Sequence, residues 1–142
     1  MLIDKQLLDK LSAQAKANSR LRQAYDLRTE ATEKLVDSST CSHVDSSQRM
    51  LNAVEPGTRL PIHRHRNSTE TIIVLRGKVR QHYYNDEGEK IASYVLAPNT
   101  AQIGMSVPVG QWHALESLEE GSVIFECKDG AYEPLSDIDI ME

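Results

Sequence analysis

His63 and His65 sit one residue apart, Glu70 follows five residues after the second, and His113 closes a distant run, PVGQWHAL. In a strand, residues i and i+2 face the same way, so both imidazoles project together while Arg64 and Arg66 point away. A carboxylate arriving from the next strand reaches the same side. Glu70 is placed for this, after a short turn at residues 66–69. His113 supplies a third imidazole from a separate strand, behind a tight bend at Pro108 and Gly110. Three imidazoles and one carboxylate leave one or two positions open on a divalent first-row metal, and open positions are where ligands bind or chemistry occurs. Iron, manganese, zinc and nickel all suit this mixed nitrogen and oxygen set. The bland alternative is a basic turn, HRHR, that binds nothing.

The elements that must carry these residues fall into two parts. In IDKQLLDKLSAQAKANSRLRQAYD, Ile3, Leu7, Leu8, Leu11 and Ala15 recur at helical spacing and form one apolar stripe. Asp4 is the expected cap, and Asn18 and Ser19 break the pattern. Residues 20–36 read as a second helix or a loop, and DSSTCSHVDSS as an irregular linker. From Gln48 onward, short β-branched and aromatic runs alternate with turn signals, which predicts a sandwich or barrel. NDEG at residues 85–88 is a hairpin connection. The acidic tail, YEPLSDIDIME, reads as an irregular end. The expected organisation is a helical extension and linker over residues 1–47 and a mainly β domain over residues 48–142.

At 142 residues, 39% hydrophobic and 26% charged, the chain has the size and balance of one globular domain. No stretch approaches the roughly 20 apolar residues of a membrane helix, and the charged N-terminus lacks the apolar core of a secretion signal. A cytoplasmic setting is the expectation, and in it Cys41 and Cys127 are free thiols rather than a pair. The net charge of −5, without a reading helix or stacking motif, argues against nucleic acid. The charge is uneven: residues 1–80 hold 14 Lys+Arg against 9 Asp+Glu, and residues 81–142 hold 2 against 12. An anionic ligand facing some of the arginines would use this asymmetry. Arg20, Arg22 and Arg49 are candidates if the N-terminal region folds over the barrel mouth; plain surface arginine is the alternative. Strand parity after Gly77 places Val79, Gln81 and Tyr83 on one face, so Gln81 and Tyr83 are candidate cavity residues. Tyr83 and Glu126 are the acid–base candidates. Trp112 is expected to pack away from His113, His82 to face outward at the surface, and His43 to be solvated. No Ser-His-Asp arrangement or phosphate-cradling glycine loop is present in the sequence.

The full spacing carries a family resemblance. Gly57-x5-His63-x-His65-x4-Glu70-x6-Gly77 and Pro108-x-Gly110-x-x-His113 match the two motifs of the cupin superfamily. Two positions depart: Gln102 stands where the second motif opens with glycine, with Gly104 nearby, and Ser117 where it ends with asparagine. Neither is a metal ligand. The resemblance implies a single cupin jelly-roll barrel with an N-terminal helical extension, and one divalent metal held by His63, His65, Glu70 and His113. Over nearly the whole chain, SRLRQ, QRMLNAVEPGTRLPIHRH, ETIIVLRGKV, VPVGQWHALES and FECKDGAYEP resemble the WbuC-type cupin-fold metalloproteins. That resemblance implies a surface-polysaccharide (O-antigen) setting. Two function classes follow: a metal-dependent protein acting on a small anionic or sugar-derived metabolite, and a non-catalytic, metal-anchored binding or regulatory module. Open sheet edges, the apolar stripe and the cupin resemblance together lead us to expect a homodimer.

Overall fold

The computed structural model describes residues 1–28, 46–130 and 134–141. The readings of Cys41 and His43, and most of the linker, lie outside these residues. α1 (Lys5–Ala17) starts where the Asp4 carboxylate accepts the Leu7 amide at 3.0 Å, capping a donor the helix leaves open. It ends at Asn18, whose amide bonds to Gln14 O and Arg22 O and turns the chain back on itself. The helix stripe buries against its own domain: Leu11 and Ala15 pack on Leu51, Ala53 and Val123, with Leu7 and Leu8 alongside. Burying a leucine such as Leu11 contributes about 1.5–3 kcal/mol.

Ten strands follow among the described residues: β1 (Arg22–Asp26), β2 (Ser47–Val54), β3 (Ile62–His63), β4 (Glu70–Arg76), β5 (Val79–Tyr84), β6 (Lys90–Leu96), β7 (Gly104–Val107), β8 (Trp112–Ser117), β9 (Ser122–Asp129) and β10 (Ile140–Met141). They form two antiparallel five-stranded sheets, ordered β1-β2-β9-β4-β7 and β10-β3-β8-β5-β6. Alternation gives the first sheet two working faces. Leu51, Ala53, Val123 and Phe125 meet the helix, while Ile72, Val74 and Ile124 meet Val79, Leu96 and Leu115 of the second sheet. This is the mainly β jelly roll with a helical extension that the motifs imply. No helix of the described residues is long and apolar enough to cross a membrane.

Two segments differ from expectation. Residues 22–26 are neither helix nor loop: β1 runs antiparallel to β2 from Arg22↔Val54 to Asp26↔Met50. Its five residues are too few to show a period, and the pairing that makes them a strand is supplied by β2, far along the chain. The tail is not wholly irregular. Residues 137–139 form a 3-10 turn, and β10 then pairs with β3. The departure at Gln102 also has a structural reading. A Cβ at Gly104 would lie 2.3 Å from Ile72 O, because β7 presses on β4 there, so the glycine is needed two residues after the usual place. The Cβ of any residue replacing Gly77 would meet Ser122 Oγ at 2.3 Å, and its φ of +83° favours glycine again.

Candidate metal centre

β3 pairs with β8 at His63↔His113, which sets these two rings side by side with centroids 4.3 Å apart. The Gly110 amide donates to His65 O at 2.8 Å and ties the bend before β8 to the segment that follows β3. His65 completes a group in which ligand-capable atoms of His63, His65 and His113 all lie within 4.8 Å of one another. Glu70 opens β4 on the other sheet. Its Oε2 lies 2.9 Å from His65 Nε2 and its Oε1 3.6 Å from His113 Nε2.

The protons on two rings follow from their partners. His63 Nδ1 is 3.0 Å from Pro61 O, and His113 Nδ1 is 2.8 Å from Gln111 O. A carbonyl only accepts, so each Nδ1 carries the hydrogen and each neutral ring turns a bare Nε2 lone pair inward. His113 Nε2 and His65 Nε2 are buried and make no hydrogen bond, although both face the Glu70 carboxylate. The bare Nε2 of His113 repels a facing carboxylate unless a proton or a cation lies between them. The donor set therefore fits a divalent metal, which these three histidines could hold.

The electrostatics agree. Burial, above all, pushes the His63 pKa down to about 4. For Glu70, burial alone would raise the pKa, but a proton presented by His113 or His65 more than offsets it and holds the carboxyl well below its usual range, so the site draws positive charge. Glu126, on β9, goes the other way. Burial and the Glu70 charge push it up to about 8, against a 3.5 Å hydrogen bond from Asn52 and the charge of Arg22.

The group sits in the wall of a cavity of about 310 Å³ between the sheets. Arg22 and Gln81 line it as well; Arg20, Arg49 and Tyr83 do not. Alternation on β2 turns Arg49 to the face opposite Gln48 and Met50, where it borders a separate depression with Thr71 and Cys127. Tyr83 packs edge-on against Tyr94 at 5.5 Å. Arg20 borders an outer groove beside β1. Arg64 and Arg66 point away, as expected, and both donate to Asp139 of the tail. Trp112 packs away from the site under the Arg64 guanidinium, 4.3 Å from its centroid, and donates to Asp86. His82 is not at the surface: it is 7% exposed, lying between Ser93 at 2.7 Å and Glu116 at 2.9 Å. Its two polar partners make burial affordable, and neither was legible from spacing. Gln48, Asn52 and Lys128 also line the cavity. The parity that marked Gln81 would have marked Gln48 and Asn52 on β2. Nothing in the acidic tail signals that Pro134, Leu135 and Ile140 cover one side.

No curated protein matches the chain. Among solved structures it is similar to the capsular polysaccharide assembling protein CapF from Staphylococcus aureus, at 22% identity over 63% of this chain and 24% of that one, with a TM-score of 0.54. It thus spans about a quarter of the CapF chain. It is similar to KdgF from Halomonas sp. at 16% identity over 78% of this chain and 82% of that one, TM-score 0.54. It is also similar to an oxalate oxidase in complex with the substrate analogue glycolate, at 17% identity over 80% and 53%, TM-score 0.57. These likenesses show the cupin fold. A family model described as a domain of unknown function, DUF6016, matches residues 3–96, and the chain belongs to that family.

Proposed function

We propose that the protein holds one divalent metal (Fe, Mn, Zn or Ni) through His63, His65, Glu70 and His113, and that it binds or acts on a small anionic or sugar-derived metabolite in the cavity. The observation that carries this reading is the convergence of three imidazoles, His63, His65 and His113, beside the buried Glu70 carboxylate. A metal bound there would supply Lewis acidity to a ligand oxygen. The chain's own residues do the rest. Arg22 and Lys128 offer positive charge to an anion, and Gln48, Asn52 and Gln81 offer amide groups to hydroxyls. Glu126, with its pKa raised to about 8, keeps a proton near neutral pH and is the acid–base candidate.

The likeness to CapF, a capsular polysaccharide assembling protein, supports a surface-polysaccharide setting and a WbuC-type relationship. The glycolate complex of the oxalate oxidase supports a small hydroxy acid as ligand chemistry. A homodimer belongs to the same reading, because β6 is a sheet edge with Ile91, Tyr94 and Val95 exposed. We place the protein in the cytoplasm. The non-catalytic alternative has one observation in its favour: among the described lining residues, Glu126 is the sole carboxylic acid besides Glu70.

Elemental analysis of the purified protein tests the metal. About one divalent ion per chain is expected, and none in His63→Ala. Full occupancy in that variant would remove the assignment. Turnover of sugar acids by the metal-loaded protein separates the two function classes.

A further inference from the structure

The cavity at the metal centre has a neighbour across β1. A second, larger groove of about 630 Å³ runs along the outside of that strand, and the two share Arg22, Met50 and Asn52 as lining. Register explains the shared wall. Arg22 pairs with Val54 and Ala24 with Asn52, so alternate residues of the edge strand β1 lie on the same sheet face as Met50 and Asn52.

Both compartments carry polar groups without partners. In the inner one, Gln81 Nε2 and Gln48 Oε1 are unpaired on side chains 1% and 5% exposed, and Asn52 Oδ1 is unpaired beside them. A buried amide atom left open is costly, so this donor-and-acceptor set is complete only with a hydroxylated occupant or water. In the outer groove, Arg20 and Arg22 make no ion pair among the described residues, while Asp26, the one carboxylate in the described lining, is already held by Arg28 at 3.1 Å. The turn that presents the two arginines is built. Leu21 between them adopts φ +56°, rare for a residue with a side chain. Its carbonyl accepts from Glu55 N at 2.9 Å and Thr58 Oγ1 at 2.6 Å, and Asn18 Oδ1 accepts from Arg20 N at 3.0 Å.

We infer that cavity and groove are two subsites of one binding site, whose ligand is a sugar-sized hydroxylated group joined to an anionic extension, a phosphate or a carboxylate, seated on Arg22 and Arg20. This rests on the metal-side cavity being the ligand site. It adds that the ligand is longer than that cavity and is gripped outside it.

Titration calorimetry on the metal-loaded full chain provides the test, with glucose, inorganic phosphate, glucose 1-phosphate and glucuronosyl-glucose as probes. One of the two joined probes is expected to bind at least about tenfold more tightly than either glucose or phosphate. Which one gains identifies the anion. Arg22→Gln is expected to remove about tenfold of that affinity and Arg20→Gln about threefold, with metal content unchanged. No gain for either joined probe, or wild-type affinity in both variants, overturns the inference. Metal content is read separately: a metal-free chain that still binds the joined probe through Arg22 removes the metal reading and leaves this one standing.

Discussion

The interior of the barrel has two ends built by the same strands. At one end Ile72, Val74, Val79, Leu96 and Ile124 are at most 3% exposed and pack together with Met105 and Leu115. At the other lie Glu70, Gln81 and Glu126, with unpaired amides and carboxyls whose pKa values are displaced in opposite directions. The boundary is crossed in single i+2 steps: from Glu70 to Ile72 on β4, from Val79 to Gln81 on β5 and from Ile124 to Glu126 on β9. A strand face therefore passes from holding the fold to holding a ligand within two residues. The apolar end stabilises without help, whereas the polar end costs stability until something binds there.

The largest effect expected from this division is at the apolar end. Ile124→Ala should lower unfolding stability by about 3 kcal/mol, since a buried Ile→Ala change loses transfer energy and leaves a cavity. Denaturant melts measure it, and metal stoichiometry in the folded fraction should stay near one per chain. Loss of metal at full folding would show that the two ends are not separable.

At the polar end, His113→Ala should weaken metal retention by at least about a hundredfold, because one of three imidazoles is lost. The metal-free fold should lose about 1–2 kcal/mol, from the Nδ1 hydrogen bond to Gln111 O and the packing of a ring that is 2% exposed. Competition with a chelator reads the first quantity and apo-protein melts the second. Equal metal retention in the variant would assign the histidines to structure alone.

The sequence carried the polar end better than the edges around it. His63, His65, Glu70 and His113 are chemically distinctive, and the turn at residues 66–69 and the bend before β8 position them. Strand alternation places Gln81 in the cavity, but Tyr83, of the same parity, packs on Tyr94 beyond its lining. Arg49 lies outside because alternation on β2 sets it opposite Gln48 and Met50. β1, β10 and the covering tail were illegible for a different reason: each is short, and each becomes a strand or a wall only through a partner distant in the chain. His82 shows the same limit for burial, since Ser93 and Glu116 reach it across the sheet.

The pH dependence of the metal-free protein sharpens the comparison, because the polar end alone titrates. His63 stays neutral down to about 4 when folded but takes up its proton near 6.5 when unfolded, so its contribution is present above 6.5 and is lost as pH falls through that window. Glu126 has the opposite sign. Its folded pKa of about 8 exceeds the ordinary carboxyl value of 4.5, so its contribution is present at low pH and is lost as pH rises from 4.5 through 8. The two oppose between 4.5 and 6.5. Glu126→Gln should therefore unmask a fall in stability from pH 6.5 to 4, and should flatten the loss that wild type shows between 6.5 and 8. Parallel profiles for the two proteins would mean that Glu126 does not titrate in the folded state.

The smallest effect is the most discriminating. Gln81 is 1% exposed, at the step where β5 turns from apolar to polar, and its Nε2 has no partner. If that atom exists for a ligand, the empty protein gains nothing from it. Gln81→Met keeps the length of the side chain and removes an unsatisfied donor, which should leave stability unchanged or raise it by about 1 kcal/mol. The neighbours at that level, Leu115 on β8 and Val79 one step away on β5, already offer apolar contact. Binding of the hydroxylated probe should fall at the same time, while metal content holds. A destabilised variant would mean that Gln81 is satisfied in the folded protein by ordered water, and the polar end would then be a hydrated core rather than a site waiting for its ligand.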